Sequence, residues 1–350
     1  MTKNELFCIG NPLVDLFATV NSSYPRQHGI VQQVQHIDHE QAQRIFNELR
    51  FDKKAASQLA SGGGAANVAK IAAMLGMNAA FAGSTGNDEM AAVFANELRK
   101  VGVSLFLKKG EGKTGICCML NSGGESVIAA APGAALEYME SDIQDEWITG
   151  AEAVVLDGYI LDRRPLVQRI LELAATNGIP IALDVASAFH IREKTEEILH
   201  YSRNYPLIVF MNADESIAFY NTIKKTAIEE EVQGEREKEA LILRDICPVL
   251  KYITEGEIFP IIVIKLGGRG AVVLAGGNIY RAETFTVTPR NTVGAGDAFC
   301  AAFICAWIRG KSISECAALG NRVAREILLV PGTKIKAGKL RAFAKLLKKR

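Results

Sequence analysis

The sequence predicts an α/β sandwich with a mostly parallel central sheet, and three observations carry that prediction. Short apolar runs of strand length alternate with helix-length stretches along the chain. Several of these runs lie beside Gly, Pro or Asp, as strands that end at turns do. The length of 350 residues suits one such core with a small appendage.

The expected strands are Leu6 to Ile9, Ala79 to Ala82, Ala153 to Leu156, Ile179 to Leu183, Leu207 to Met211, Ile261 to Ile264 and Ala271 to Leu274. Helical stretches such as Met90 to Val101, Pro165 to Asn177 and Ala298 to Ile308 fall between or after them, so helices cover both faces of the sheet. Two regions break the alternation. Asp15 to Ile37 and Val103 to Ala130 hold the β-rich pieces Phe17 to Val20, Ser104 to Lys108 and Thr114 to Leu120, with Gly-rich turns, and are expected to pair as a small separate sheet. The charged segment Lys224 to Lys251 reads as one or two exposed helices between core strands. No internal repeat or low-complexity linker is present, so residues 1–350 are read as one domain.

Composition excludes several classes. With 40 basic and 39 acidic residues mixed along the chain, there is no broad field for gripping a nucleic-acid backbone. The basic tail Lys345 to Arg350 reads as a solvated helix end. Seven cysteines, mostly in apolar stretches and without Cys-x-x-Cys spacing, suggest buried thiols rather than disulfides or zinc. Leu6 to Ile9 is too short for a signal-peptide core, and Ala298 to Ile308 is far below a membrane span, so a cytoplasmic protein without a membrane partner is expected.

The most informative stretch is Asn291-Thr292-Val293-Gly294-Ala295-Gly296-Asp297, running into an apolar helix. A Gly-rich turn opening a helix leaves the N–H groups of Gly294, Ala295 and Gly296 free at the positive end of the helix dipole, where an anion binds. If that site only bound phosphate, Asp297 would repel the ligand; the acid makes sense if it takes the proton from an attacking hydroxyl. Phosphoryl transfer asks for little beyond alignment and charge stabilisation. Taken alone, the same residues also describe an ordinary tight turn with a helix-favouring acid.

A second cluster, Ser61-Gly62-Gly63-Gly64-Ala65-Ala66-Asn67, runs into an Ala-rich helix ending near Gly76. Its backbone can approach a ligand closely, and Asn67 offers a donor and an acceptor to sugar hydroxyls. It lacks the Gly-x-Gly-x-x-Gly spacing of a dinucleotide site, which argues against an NAD-dependent dehydrogenase. Gly112-Lys113-Thr114 looks like the end of a P-loop, but Leu107 stands where that motif needs Gly.

Together the two clusters resemble the paired signature of the ribokinase-like (PfkB) family, with Gly63-Gly64, Asn67, Ala69, Gly76 and Gly86 in the first and Asn291 to Phe303 in the second. The resemblance extends over nearly the whole chain. Gly10 to Asp15, Gly83 to Asp88, Asn212-Ala213-Asp214-Glu215 and Leu266 to Gly270 fall in the family's order. It implies a ribokinase-like α/β/α sandwich with a lid formed by about 15–37 and 103–130, and an ATP- and Mg2+-dependent kinase acting on a hydroxymethyl group. The lid would exclude water from the reaction.

By the same resemblance, Asp297 is the catalytic base, with Gly294, Ala295 and Gly296 as the anion hole. Asp15 binds substrate hydroxyls, and Gly63, Gly64 and Asn67 line the sugar site, Gly63 also serving as a lid hinge. Asn212 and Glu215 match an Asn-x-x-Glu motif that helps hold magnesium and phosphate through water. Lys265, Gly267, Gly270 and Asn321 lie beside the nucleotide. Gly10 to Asp15 is similar to the opening of the family's adenosine kinases, in which Asn11 and Leu13 would touch a purine. Sugar kinases have similar openings, so adenosine and sugars stay open as acceptors, as does a member that binds without transferring phosphate. Two departures are Glu125, where many relatives place Arg, and Ile160, where an adenosine kinase would offer an aromatic ring. Asn291 stands where many relatives have an Asp that helps bind potassium, so a weak or absent potassium site is expected. A monomer, or a homodimer through the lid, is the expected assembly.

Overall fold

The computed structural model describes residues 4–347 except 33, 56, 123–124, 226–233, 256–260, 291, 331–334 and 336. Among these, fourteen strands form two sheets. In chain order they are β1 (Leu6–Ile9), β2 (Leu13–Thr19), β3 (Val34–His36), β4 (Gln58–Gly62), β5 (Ala79–Thr85), β6 (Ser104–Lys109) and β7 (Gly115–Ser122). There follow β8 (Glu125–Ala131), β9 (Ala153–Asp157), β10 (Ile181–Asp184), β11 (Leu207–Asn212), β12 (Ile261–Lys265), β13 (Ala271–Ala275) and β14 (Asn278–Ala282).

The large sheet has nine strands in the order β14-β13-β12-β11-β10-β9-β1-β5-β6. It is parallel from β12 to β6, and β13 and β14 close one edge as antiparallel strands. Successive side chains of a strand point to opposite faces, and here each face has its own core. Leu6 and Cys8 join Phe81, Val155 and Phe210 on one side, while Phe7 and Ile9 join Ala82, Val154 and Leu183 on the other. Helices Gly64–Met74, Glu89–Lys100, Ala295–Ile308 and Ile313–Leu328 cover the first face. Helices Arg164–Thr176, Ala188–Asn204 and Ala213–Lys224 cover the second, giving the three-layer sandwich.

Four consecutive parallel strands end in a polar residue: β9 in Asp157, β10 in Asp184, β11 in Asn212 and β12 in Lys265. Register pairs Asp157 with Asp184, and Asn212 with Lys265. The carboxyl edge of the sheet is therefore lined with charge and amide where an open α/β sheet binds its ligands.

The small sheet runs β3-β8-β7-β2-β4. One of its faces, with Val14, Leu16, Cys118 and Leu120, packs on Ala42, Ile45, Phe46 and Leu49 of helix His39–Phe51. The other carries Phe17, Ala60, Cys117 and Met119, with Leu13, Ile128, Ala130 and Val293 packed against them. Two sequence assignments change. Ser104–Lys109 belongs to the edge of the large sheet, paired in parallel with β5, and its half-buried side chains explain why it reads like a lid strand. Gln58–Gly62, unassigned from sequence, pairs with β2 in the small sheet and delivers the first Gly cluster to the site.

The segment read as exposed charged helices forms helix Glu235–Leu241, a π-helical turn Ile242–Ile246 and helix Cys247–Glu255. It is amphipathic rather than wholly exposed, because Leu241, Ile242, Ile246 and Leu250 are buried. All seven cysteines are buried and unbridged. Among the described residues no helix is long and apolar enough to cross a membrane.

Candidate active site

A cavity of ≈ 480 Å³ lies between the carboxyl edge of the large sheet and the apolar face of the small one. It brings together Asn11, Leu13, Asp15, Gly63, Gly64, Asn67, Asn212, Glu215, Lys265, Gly294, Gly296 and Asp297, twelve positions singled out from sequence. Ala295, Gly267, Gly270 and Asn321 do not line it. Asn321 is buried, and its amide donates to the carbonyls of Ala282 and Glu283 at 3.0 and 3.2 Å, holding the chain as it leaves β14. Asn291 lies outside the described residues.

The two Gly clusters meet here. Gly63, at φ +95°, stands at the start of helix Gly64–Met74, and a side chain on it would meet the Asn11 carbonyl at 2.2 Å. This geometry aims Asn67 at the opposite cluster, and its Nδ2 donates to Asp297 Oδ2 at 2.8 Å. Asp297 sits in the first turn of helix Ala295–Ile308, whose first N–H groups have no carbonyl partner within the helix. Burial and then the charge of Asp184 push its carboxyl up to about 7, against the Asn67 hydrogen bond and Lys265. A carboxylate poised there can accept a hydroxyl proton near neutral pH.

Two buried acceptors are unpartnered. Asp15 Oδ1 and Asn67 Oδ1 have no hydrogen-bond partner, although both residues line the cavity. Burial of unsatisfied acceptors costs free energy unless a ligand supplies donors. The Asp15 carboxyl is raised by burial, with Lys70 acting against this and Asp297 and Glu97 adding to it. Beside the anion turn, Lys265 Nζ binds Asp184 Oδ2 at 2.7 Å and lies close under Gly296. Burial alone would lower its pKa, but Asp184 and Glu215 outweigh that and hold it charged.

Glu215 accepts from the N–H and Nδ2 of Asn212 at 2.6 and 2.8 Å, while its own N–H donates to Asn212 Oδ1. This reciprocal cap consumes the directions a direct metal bond would use. Burial raises the Glu215 carboxyl, with Lys265 opposing it. Among the described residues no three metal-binding side chains converge. The donor set suits a hard ion that keeps its water and arrives on phosphate oxygens, not one held in a protein cage.

Sequence reasoning missed Asp157, Asp184, Tyr159 and Arg163. Asp157 accepts from the Tyr159 N–H at 3.0 Å, and its carboxyl is raised by burial and by Asp184. The signal available was an apolar run stopped by a polar residue at the end of each parallel strand. Ile160 is buried in the core, and Tyr159, one residue earlier, brings an aromatic ring to the cavity, with His36 edge-on at 5.9 Å. Arg163 donates through Nη2 to Asn11 Oδ1 at 2.7 Å and through Nη1 to the Ala135 carbonyl at 2.5 Å, fixing the Asn11 amide. Thr114 is no phosphate ligand: its N–H and Oγ1 donate to Asp88 at 2.9 and 2.6 Å, fastening β7 to the loop after β5.

Comparison with known proteins agrees with this arrangement. Residues 33–339 match the pfkB family of carbohydrate kinases. An adenosine kinase from Schizophyllum commune is 23% identical over 351 residues, covering 93% of this chain and 95% of the relative. A 5-dehydro-2-deoxygluconokinase from Clostridium perfringens is 26% identical over 281 residues, covering 75% of this chain and 76% of that protein. Among solved structures, a probable sugar kinase from Rhizobium etli superposes with a TM-score of 0.83 at 23% identity, covering 99% of both chains. An adenosine kinase from Sinorhizobium meliloti gives 0.82 at 23% identity, covering 99% of this chain and 100% of the other. With a match across most of its length, the chain belongs to the pfkB carbohydrate kinase family, phosphotransferases that act on an alcohol group.

Proposed function

We propose that this kinase transfers the γ-phosphoryl group of ATP to the 5′-hydroxymethyl group of a nucleoside, with adenosine as acceptor. One observation carries the reading: the Asp297 carboxyl, raised to about 7, faces a cavity whose buried acceptors Asp15 Oδ1 and Asn67 Oδ1 lack donors. A ribose diol supplies those donors. With the diol held by Asp15 and Asn67, the hydroxymethyl group is directed to Asp297, which takes its proton as the oxygen attacks. The N–H groups of Gly294, Gly296 and Asp297, with Lys265 beneath Gly296, stabilise charge on the transferred group, while the Ala295 N–H donates to the Thr292 carbonyl at 3.4 Å. Magnesium bound to the phosphates would neutralise part of their charge, with Asn212 and Glu215 reaching it through water.

The purine is favoured by the apolar wall of the small sheet. Leu13, Cys117, Met119, Ile128 and Ala130 face the cavity, and Tyr159 adds an aromatic ring. A lone hexose would leave such a wall without a partner. With Asn11 Oδ1 engaged by Arg163, its Nδ2 is left to donate to a ring nitrogen. The small sheet acts as the lid that excludes water. A sugar acceptor is the second reading, because Asp15 and Asn67 serve any vicinal diol and the relatives include kinases named for sugar substrates. Measuring ATP consumption with adenosine, ribose, fructose and 5-dehydro-2-deoxygluconate separates them. The highest kcat/KM belongs to adenosine if the reading holds; turnover of a sugar with none on any nucleoside overturns it.

A further inference from the structure

Behind the acceptor site lies a buried polar chain that the reaction itself does not use. Lys70 is buried one turn after Asn67 on helix Gly64–Met74. Its Nζ donates to the Ser61 carbonyl at 2.7 Å and to Ser61 Oγ at 2.9 Å. Ser61 in turn donates through its N–H and Oγ to Glu97 Oε2 at 2.7 and 3.1 Å. The next residue, Gly62, lies directly against the Asp15 carboxylate: a Cβ there would fall 1.9 Å from Asp15 Oδ1. Strand β4 pairs with β2 with Ala60 opposite Asp15, Ser61 opposite Val14 and Gly62 opposite Leu13, so Ala60 and Gly62 form the floor beneath that carboxylate and Ser61, between them, turns its side chain to the other face.

A neutral donor would satisfy Ser61 as well as a lysine does, and burying an ammonium group is costly. The Lys70 charge stands opposite Glu97 on the same Ser61 and opposite the acids around Asp15. The charged and titratable groups around Asp15 are Lys70 from its helix, Glu97 from helix Glu89–Lys100, Asp297 from helix Ala295–Ile308, Cys117 beside it on β7, and Cys118 on the other face of that strand. Two of these are further acids, and Lys70 supplies the opposing positive charge.

We propose that Lys70 is a positioning residue for acceptor binding, fixing strand β4 against Asp15 through Ser61 and setting a positive charge among the acids around the group that accepts the substrate diol. The proposal rests on the reading of Asp15 as the acceptor-holding group. Asp297 is one of the acids beside Asp15, but neither Lys70 nor Glu97 is among the groups that shift it, which are Asp184, Asn67, Lys265 and Asp157. Lys70 thus acts on acceptor KM and its pH dependence, and not on the pH dependence of kcat.

The test measures kcat and acceptor KM against pH, with adenosine and saturating ATP, for the wild type, Lys70→Gln, Lys70→Arg, Glu97→Gln and Asp15→Asn. Lys70→Gln should raise KM at pH 7 on the order of tenfold and move the rise of KM to more alkaline pH. Lys70→Arg should restore both. Glu97→Gln keeps an oxygen for Ser61 but removes a like charge, so it should move the same rise to more acid pH, which covers the case in which Lys70→Gln fails to fold. The pH profile of kcat should stay in place in the Lys70 and Glu97 variants. A KM change of equal size at every pH, or shifts of one sign in both variants, overturns the proposal and leaves a structural role. An Asp15→Asn enzyme with normal KM at every pH overturns the reading of Asp15 and this inference with it. A large Asp15→Asn effect beside an unmoved Lys70→Gln profile overturns the inference alone.

Discussion

Asn67 Nδ2 donates to Asp297 Oδ2 at 2.8 Å, joining the two Gly clusters across 230 positions of sequence. The bond places an acceptor-facing amide and the proposed base on one site. It also leaves Asn67 Oδ1 as an acceptor with no partner, beside the similarly orphaned Asp15 Oδ1.

That pair of acceptors predicts a dependence on the substrate diol. Asp15→Ala should raise acceptor KM at least tenfold, and 2′-deoxyadenosine should lose a comparable factor in kcat/KM relative to adenosine, since each removes a hydrogen bond to a charged group worth about 1.5–3 kcal/mol. Steady-state rates over a range of acceptor concentration check both. Equal kcat/KM for the two nucleosides would remove the diol from the account.

The raised carboxyl of Asp297 predicts two pH effects. As a base it must be deprotonated, so kcat should climb with pH through about 7 and then level. For stability the sign is opposite. A folded-state pKa above the usual carboxylate value contributes stability that is present below the unfolded value and is lost as pH rises through about 7. Asp297→Asn should therefore melt higher than the wild type at pH 8, on the order of 2 °C, with the gap closing near pH 4. Thermal melts at the two pH values check this; a variant less stable at pH 8 would contradict it.

Asn291, outside the described residues, carries the proposal about monovalent cations. An amide contributes no net charge to a cation site, so initial rates titrated with potassium at constant ionic strength should show little activation at low millimolar concentration. Asn291→Asp should create or sharpen activation without moving the magnesium requirement. Strong potassium activation of the wild type would sink the idea.

Much of this was legible from the residues alone. The core strands are apolar runs, and buried parallel strands have no reason to alternate polarity, so their positions hold to within about three residues at each end, with Ile179 to Leu183 becoming Ile181–Asp184 and Ala79 to Ala82 extending to Thr85. Asp157 and Asp184 were not legible. A single Asp after a strand reads as a turn residue, and only the register that pairs Asp184 with Asp157 puts both carboxylates at one edge. Ser104–Lys109 misled for the opposite reason: an edge strand with half-buried side chains resembles the lid strands beside it in sequence. Lys70, on the Ala-rich helix, was not singled out from sequence. Its burial beside Ser61 follows from the turn at Gly63 that sets helix Gly64–Met74 back against the end of strand β4, a contact that no local pattern announces.

The central claim is that Asp297 takes the proton from the acceptor hydroxyl, and Asp297→Asn tests it most directly. The substitution keeps the shape and an oxygen for the Asn67 amide, but removes the basic group. ATP-dependent turnover of adenosine, or of whichever acceptor gives the highest kcat/KM, should fall in kcat on the order of a hundredfold or more, with ATP binding measured by calorimetry unchanged. Near-normal turnover in Asp297→Asn would contradict the account.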